Sequence, residues 1–130
     1  MATEVVLDAS ALVAFFRDEE GTGAVAKRLS GASITTMNLA EVADALSRRG
    51  VEPRETFDAA SQLRLEVVDV DAALAQLASE LYLPTRRAGL SLGDRMCLAL
   101  AKRSGRPALT SDRGWRDLPN DLGIEVELFR

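Results

Sequence analysis

The stretch "LSLGDRMCLALAKRSGRPALTSDRGW", residues 90–115, decides how the rest of the chain is read. Its first part carries apolar residues at helical spacing and ends near Gly105, a residue suited to a helix C-cap. "RPALTSD", residues 106–112, then reads as a short strand feeding a turn. At about 100° per residue, Asp94 falls in the arc of Met96, Cys97, Leu98, Leu100 and Ala101, which points it inward, while Arg95, Lys102 and Arg103 lie elsewhere. A carboxylate facing apolar neighbours carries a desolvation cost unless a cation or hydrogen bonds compensate. Asp94 also follows Ser91 by three residues, the spacing of a capping box, so a plain helix-start role stands beside the functional one.

Outward from this stretch the pattern repeats. "TEVVLD" (3–8) reads as a buried strand of about five residues, and "ASALVAFFRDE" (9–19) as a helix. "TGAVAKRLSG" (22–31) reads as a short helix closed by Gly31, "SITTM" (33–37) as a β-branched strand, and "NLAEVADALSRRG" (38–50) as a helix ended by Gly50. "VEPRETFDAASQL" (51–63) takes Pro53 into the first turn of a helix, "LEVVDV" (65–70) is a strand, and "DAALAQLASELYL" (71–83) is a helix stopped by Pro84. "IEVELF" (124–129) closes the chain as a strand. Short apolar strands alternating with helices predict one α/β domain over residues 1–130, a mostly parallel sheet covered on both faces. Such sheets bind ligands outside the carboxyl ends of their strands.

That rule selects acids. Asp8 ends the first strand, Glu41 lies in the helix after the second, and Asp112 follows "PALT"; all three belong at one edge. Read as a simple connection antiparallel to the strand, the helix of Asp94 leaves that residue at the opposite edge, unless the loop "TRRAGLSLG" (85–93) delivers it from the carboxyl side. Each acid also has an ordinary reading: Asp8 as helix cap, Glu41 as partner of Asn38 in a capping box, Asp112 as a turn residue. Four such acids together are harder to dismiss than any one.

Composition narrows the chemistry. The chain of 130 residues is 47% hydrophobic, enough for one core, and its longest apolar run, Ala11 to Phe16, is far short of the roughly 20 residues of a membrane span. No signal-peptide pattern opens it, so a cytoplasmic location is expected. The single cysteine, Cys97, fits a buried small thiol. No histidine is present, which removes Ser-His-Asp and Cys-His catalysis and nearly all catalytic zinc sites. The net charge of -4 argues against a nonspecific nucleic-acid binder, though not against a local basic rim.

"VVLDASALVAFF", "SITTMNLAEV", "LSLGDRMCLALA" and "PALTSDRGW" resemble, in order, the motifs of PIN-domain proteins, especially the VapC-type toxins of bacterial toxin-antitoxin pairs. The resemblance runs from Val5 to about Trp115. It implies a Rossmann-like three-layer α/β/α sandwich and a metal-dependent ribonuclease site built from Asp8, Glu41, Asp94 and Asp112. It also implies that the helix of Asp94 begins at the active-site edge, a homodimer, and a cognate VapB-type antitoxin whose C-terminal segment lies across the active-site groove. Ser10 and Thr110 match small hydroxyl positions beside the first and last acids; Asp117 is left outside the set.

The residues themselves argue for the same chemistry. Clustered carboxylates repel, which raises at least one pKa until a cation relieves it. All-oxygen ligation suits Mg²⁺ or Mn²⁺, with Asp8, Asp94 and Asp112 as ligands and Glu41 as ligand or water-positioning group. The expected activity is hydrolysis of phosphodiesters by metal-activated water, with RNA as the substrate that the resemblance implies. Arg86, Arg87, Arg95, Lys102, Arg103, Arg113 and Arg116 are candidate phosphate contacts, and Arg113 and Arg116 adjoin Asp112. Trp115 is read as core rather than as a base-stacking platform. "SALVAFF" and "TGAVAKRL" are read mostly as core, with a partner groove as the other use. Two other functions stay open: a catalytically silent binding module on the same fold, and a phosphatase with Asp8 as nucleophile.

Overall fold

A computed structural model describes residues 4–130. Five strands, β1 (Val6–Leu7), β2 (Ser33–Thr35), β3 (Glu66–Val68), β4 (Ala108–Thr110) and β5 (Val126–Leu128), pair in parallel in the order β3-β2-β1-β4-β5. Val6 pairs with Ser33 on one side and Ala108 on the other, so β1 is the central strand. Its residues alternate between two cores: Val5 and Leu7 pack on one face with Leu12, Val25, Leu39 and Val42, while Val6 packs on the other with Leu74, Leu98 and Trp115. This is the expected three-layer sandwich. Helices α1 (Ala9–Phe16), α2 (Thr22–Ala26), α3 (Thr36–Ser47) and α4 (Pro53–Ser61) supply the first face. Helices α5 (Ala72–Glu80), α6 (Tyr82–Thr85) and α7 (Leu92–Ser104) lie on the second. Among the described residues no helix is long and apolar enough to cross a membrane.

The strand order reverses between β1 and β4, and that switch point opens a crevice at the carboxyl edge. Asp8 and Asp112 follow those two strands. The difficulty raised for Asp94 dissolves on geometry. A helix that runs antiparallel to the strand it feeds must start at the carboxyl edge and end at the amino edge, so the start of α7 returns to the crevice by the simplest connection. Lys102 and Arg103, in the last turn of α7, are thereby carried away from the crevice.

Local boundaries differ in four places. The strands are two or three residues long, and the expected start of the first at Thr3 lies outside the described residues. Helix α2 ends at Ala26, and Gly31 makes the turn into β2 at φ 83°, donating its amide to the Arg64 carbonyl at 3.2 Å. Helix α3 starts two residues early because Thr35 caps it: the Thr35 hydroxyl accepts the Asn38 amide at 2.9 Å. The Asn38–Glu41 pair is therefore no capping box. Pro84 does not end a helix either; it sits in the first turn of α6, where no helical partner for its missing N–H is needed.

Candidate functional site

Asp8 is 7% exposed and ends β1 as the N-cap of α1. One carboxylate oxygen accepts the Ala9 amide at 2.8 Å. The other accepts the hydroxyls of Ser10 at 2.9 Å and Thr110 at 2.8 Å. The cap reading and the site reading thus both hold, since capping fixes the carboxylate at the crevice floor. With both oxygens engaged and the group buried, Asp8 is poorly presented as a nucleophile. Burial raises its pKa above the ordinary aspartate value, the two hydroxyls and the amide pull it down, and Asp94 pushes it up again.

Glu41 stands half-buried one turn into α3 and is held by Asn38, a residue the sequence reading took for a helix cap. Asn38 is fully buried; its amide nitrogen donates to Glu41 Oε1 at 2.8 Å and to the Gly93 carbonyl at 2.9 Å, and its oxygen accepts from the Thr35 hydroxyl at 2.6 Å. Both N–H donors of that amide, and its oxygen, are used in joining β2, α3 and the first turn of α7. The signal was the Thr35-x-x-Asn38 spacing at a strand-helix junction, which fixes the helix start and turns Asn38 inward. Gly93 completes the seat: a Cβ there would lie 2.6 Å from both Cδ and Oε1 of Glu41. Glu41 also has a raised pKa, first from burial, then opposed by Asn38 and reinforced by Asp8, Asp94 and Asp44.

Asp94 follows as the third residue of α7 and closes a capping box, donating its amide to Ser91 Oγ at 3.1 Å and accepting the Ser91 amide at 2.9 Å. It is half-buried, as an inward arc requires. Asp8, Glu41 and Asp94 line one open depression of about 370 Å³ with Ala9, Ser10, Asp44 and Arg48. Beneath it lies Cys97, wholly buried, whose thiol is pushed well above its usual value by burial and then by all three carboxylates. None of the three acids takes part in an ion pair among the described residues.

Asp112 is at the same edge but exposed, outside that depression. Its side chain accepts the Gly114 amide at 2.9 Å, the turn role foreseen for it. Its backbone amide donates at 3.1 Å to the Thr110 hydroxyl that also serves Asp8, and Ser111 donates at 3.2 Å to Ser10. Asp112 is thus tied to Asp8 by shared hydroxyls rather than by direct approach. Among the described residues no three acids are already arranged as a metal cage, so holding one ion requires the carboxylates to swing together. The donor chemistry fits a hard cation: oxygen ligands only, several of them ionisable, none of them ion-paired among the described residues.

The basic candidates separate. Arg95 is spent on the Ala78 carbonyl at 3.0 Å and lies over the Tyr82 ring, and Arg103 pairs with Asp71. Arg86 and Arg87 line a different depression that contains Asp117. Arg113 and Arg116 are exposed on the short helical turn after Asp112. Trp115 is 1% exposed and belongs to the core. In "SALVAFF", Ala11, Leu12 and Ala14 are core, while Phe16 lines an apolar depression with Leu46, Val51 and Ala59.

Comparison with known proteins converges on one group. A family model described as the PIN domain matches residues 5–121. A Mycolicibacterium smegmatis protein named ribonuclease VapC is 35% identical over 121 residues, covering 86% of this chain and 94% of that protein. A toxin-antitoxin complex from Klebsiella pneumoniae superposes with a TM-score of 0.75 at 17% identity, covering 98% of both chains. DNA-bound VapBC from Salmonella typhimurium gives 0.72 at 20% identity, covering 99% of this chain and 100% of that one. The chain belongs to the PIN-domain family and, within it, to the VapC group.

Proposed function

Proceeding from that membership, we propose that the chain is a toxin-type endoribonuclease, dependent on Mg²⁺ or Mn²⁺, that acts in the cytoplasm and is restrained by a VapB-type antitoxin. The observation that carries the reading is the convergence of Asp8, Glu41 and Asp94 at the switch point with no cation paired to any of them. Asp8, Asp94 and Asp112 would hold the ion, with Glu41 as a further ligand or as the group that positions water. A divalent cation there supplies charge compensation and Lewis acidity for attack of water on a phosphodiester. The chain's own residues set the geometry. Ser10 and Thr110 fix the Asp8 carboxylate, and Asn38 fixes Glu41. With no histidine, proton handling falls to the carboxylates, and Glu41, half-buried with a raised pKa, is one of those that reach solvent.

Two surfaces suit partners. The apolar depression of about 340 Å³ between α1, α3 and α4, lined by Phe16, Leu46, Val51 and Ala59, favours an antitoxin segment that brings an apolar side chain. Tyr82, Leu83 and Leu92, 54%, 66% and 45% exposed, favour a second copy of the chain over α6 and the start of α7.

The test is cleavage of cellular RNA by the purified chain with Mn²⁺, against EDTA and against Asp8→Asn and Asp94→Asn, with calorimetry of Mn²⁺ binding. Cleavage and metal binding that both disappear in the variants support the reading. A wild type that binds Mn²⁺ yet leaves all RNA intact would make the chain a silent binding module instead.

A further inference from the structure

We infer that Arg48 receives a substrate phosphate beside the acidic centre, an inference that rests on the ribonuclease reading above. A polyanion approaching three unpaired carboxylates meets repulsion, and the wall of the depression must offset it locally because the whole chain is acidic. Of the side chains lining the depression, Arg48 is the one cation. As the C-cap of α3 it continues the stripe of Glu41 and Asp44, seven and four residues on, about 10 Å along the axis from Glu41. That distance suits a phosphate neighbouring the one being cleaved.

Six of the other arginines are committed, and none of the rest lines the depression. Arg17 and Arg130 pair with Glu19, Arg28 with Glu127, Arg103 with Asp71 and Arg106 with Glu4, while Arg95 is bound to Ala78. The Arg48 side chain is exposed and makes no hydrogen bond or ion pair among the described residues, even with Asp44 one turn away. The competing explanation is a solvated basic residue favoured at a helix C-terminus. Arg49 provides the control for it: same helix end, same charge, but lining the apolar depression on the other side of α3.

The experiment compares Arg48→Gln, Arg48→Lys and Arg49→Gln with wild type on a short fluorescein-labelled single-stranded RNA. With Mn²⁺, Arg48→Gln raises KM about tenfold while kcat stays within about threefold; Arg48→Lys recovers most of the loss, and Arg49→Gln changes neither. In EDTA, where no turnover occurs, anisotropy titrations at several salt concentrations give a slope of log Kd on log salt that falls by about 0.7 for Arg48→Gln alone. Equal effects of the Arg48→Gln and Arg49→Gln changes, or none from either, overturn the inference. If wild type cleaves no RNA with either metal, the ribonuclease reading fails, and the EDTA slopes still decide whether Arg48 contacts phosphate.

Discussion

The two edges of the sheet treat charge in opposite ways. At the amino edge, Arg106 bridges Glu4 at 3.1 Å and the Ser33 hydroxyl at 3.0 Å, and Ser33 donates to Glu66 at 3.0 Å. The starts of β1, β2, β3 and β4 are tied together by a chain in which the acids meet a cation or a hydroxyl donor. At the carboxyl edge, Asp8, Glu41 and Asp94 meet hydroxyls, amides and one another, but no cation. One edge spends its charges on joining strands; the other leaves them uncompensated, at a cost to the fold that a ligand can relieve. A protein free to optimise stability alone would pair both.

This contrast predicts where substitutions bite. The largest effect belongs to Asp8→Asn and Asp94→Asn, which should lower RNA cleavage on the order of a thousandfold while the melting temperature in metal-free buffer falls little or rises, because each removes repulsion. A collapse of the fold in either would place these acids with the structural edge. Asn38→Ala comes next, costing about 2–3 kcal/mol by denaturant titration and about ten- to a hundredfold in kcat. Gly93→Ala should match the loss in kcat by displacing the Glu41 carboxylate; unchanged turnover in both would detach Asn38 from the site.

At the opposite edge, Arg106→Gln should leave kcat alone and cost about 0.5–1 kcal/mol, since the pair it breaks is partly exposed. The smallest effect is at Asp71, the N-cap of α5, whose carboxyl is held below its ordinary value of 3.8 first by the Leu74 amide and then by Arg103. A depressed acid contributes stability above its unfolded value and loses it as pH falls through its folded value. Asp71→Asn, still a good cap, should therefore lower the melting temperature slightly at neutral pH, a difference that vanishes in acid below 3.8.

Much of this was legible in the residues, and the omissions have physical causes. The strand-helix alternation follows from hydrophobic period, which is local, so all five strands and the main helices lie where the pattern put them. Asp8 was legible because a strand end followed by a helix fixes where a cap must sit. Ser10 and Thr110 were legible as neighbours of the acids, though not as donors to the same Asp8 oxygen, since they lie on different elements. Asn38 was misjudged as a cap because two hydroxyl residues precede it and only one can begin the helix. Arg48 stood outside the candidate phosphate contacts, since nothing in "RRG" distinguishes it from Arg49. Which side of α3 each arginine serves depends on what packs against that helix.

The sequence alone determined the α/β layering, the acidic chemistry open to a chain without histidine, and which carboxylates stand at strand ends or helix starts, because each of these depends on neighbours a few residues apart. Only the tertiary structure decided that β1 and β4 are adjacent, that α7 delivers Asp94 to the crevice beside Glu41, and that Asp112 stands at the rim rather than inside. Those outcomes rest on contacts across 50 to 100 residues of chain, such as Asn38 to Gly93 and Thr110 to Asp8, for which no local pattern supplies a direction.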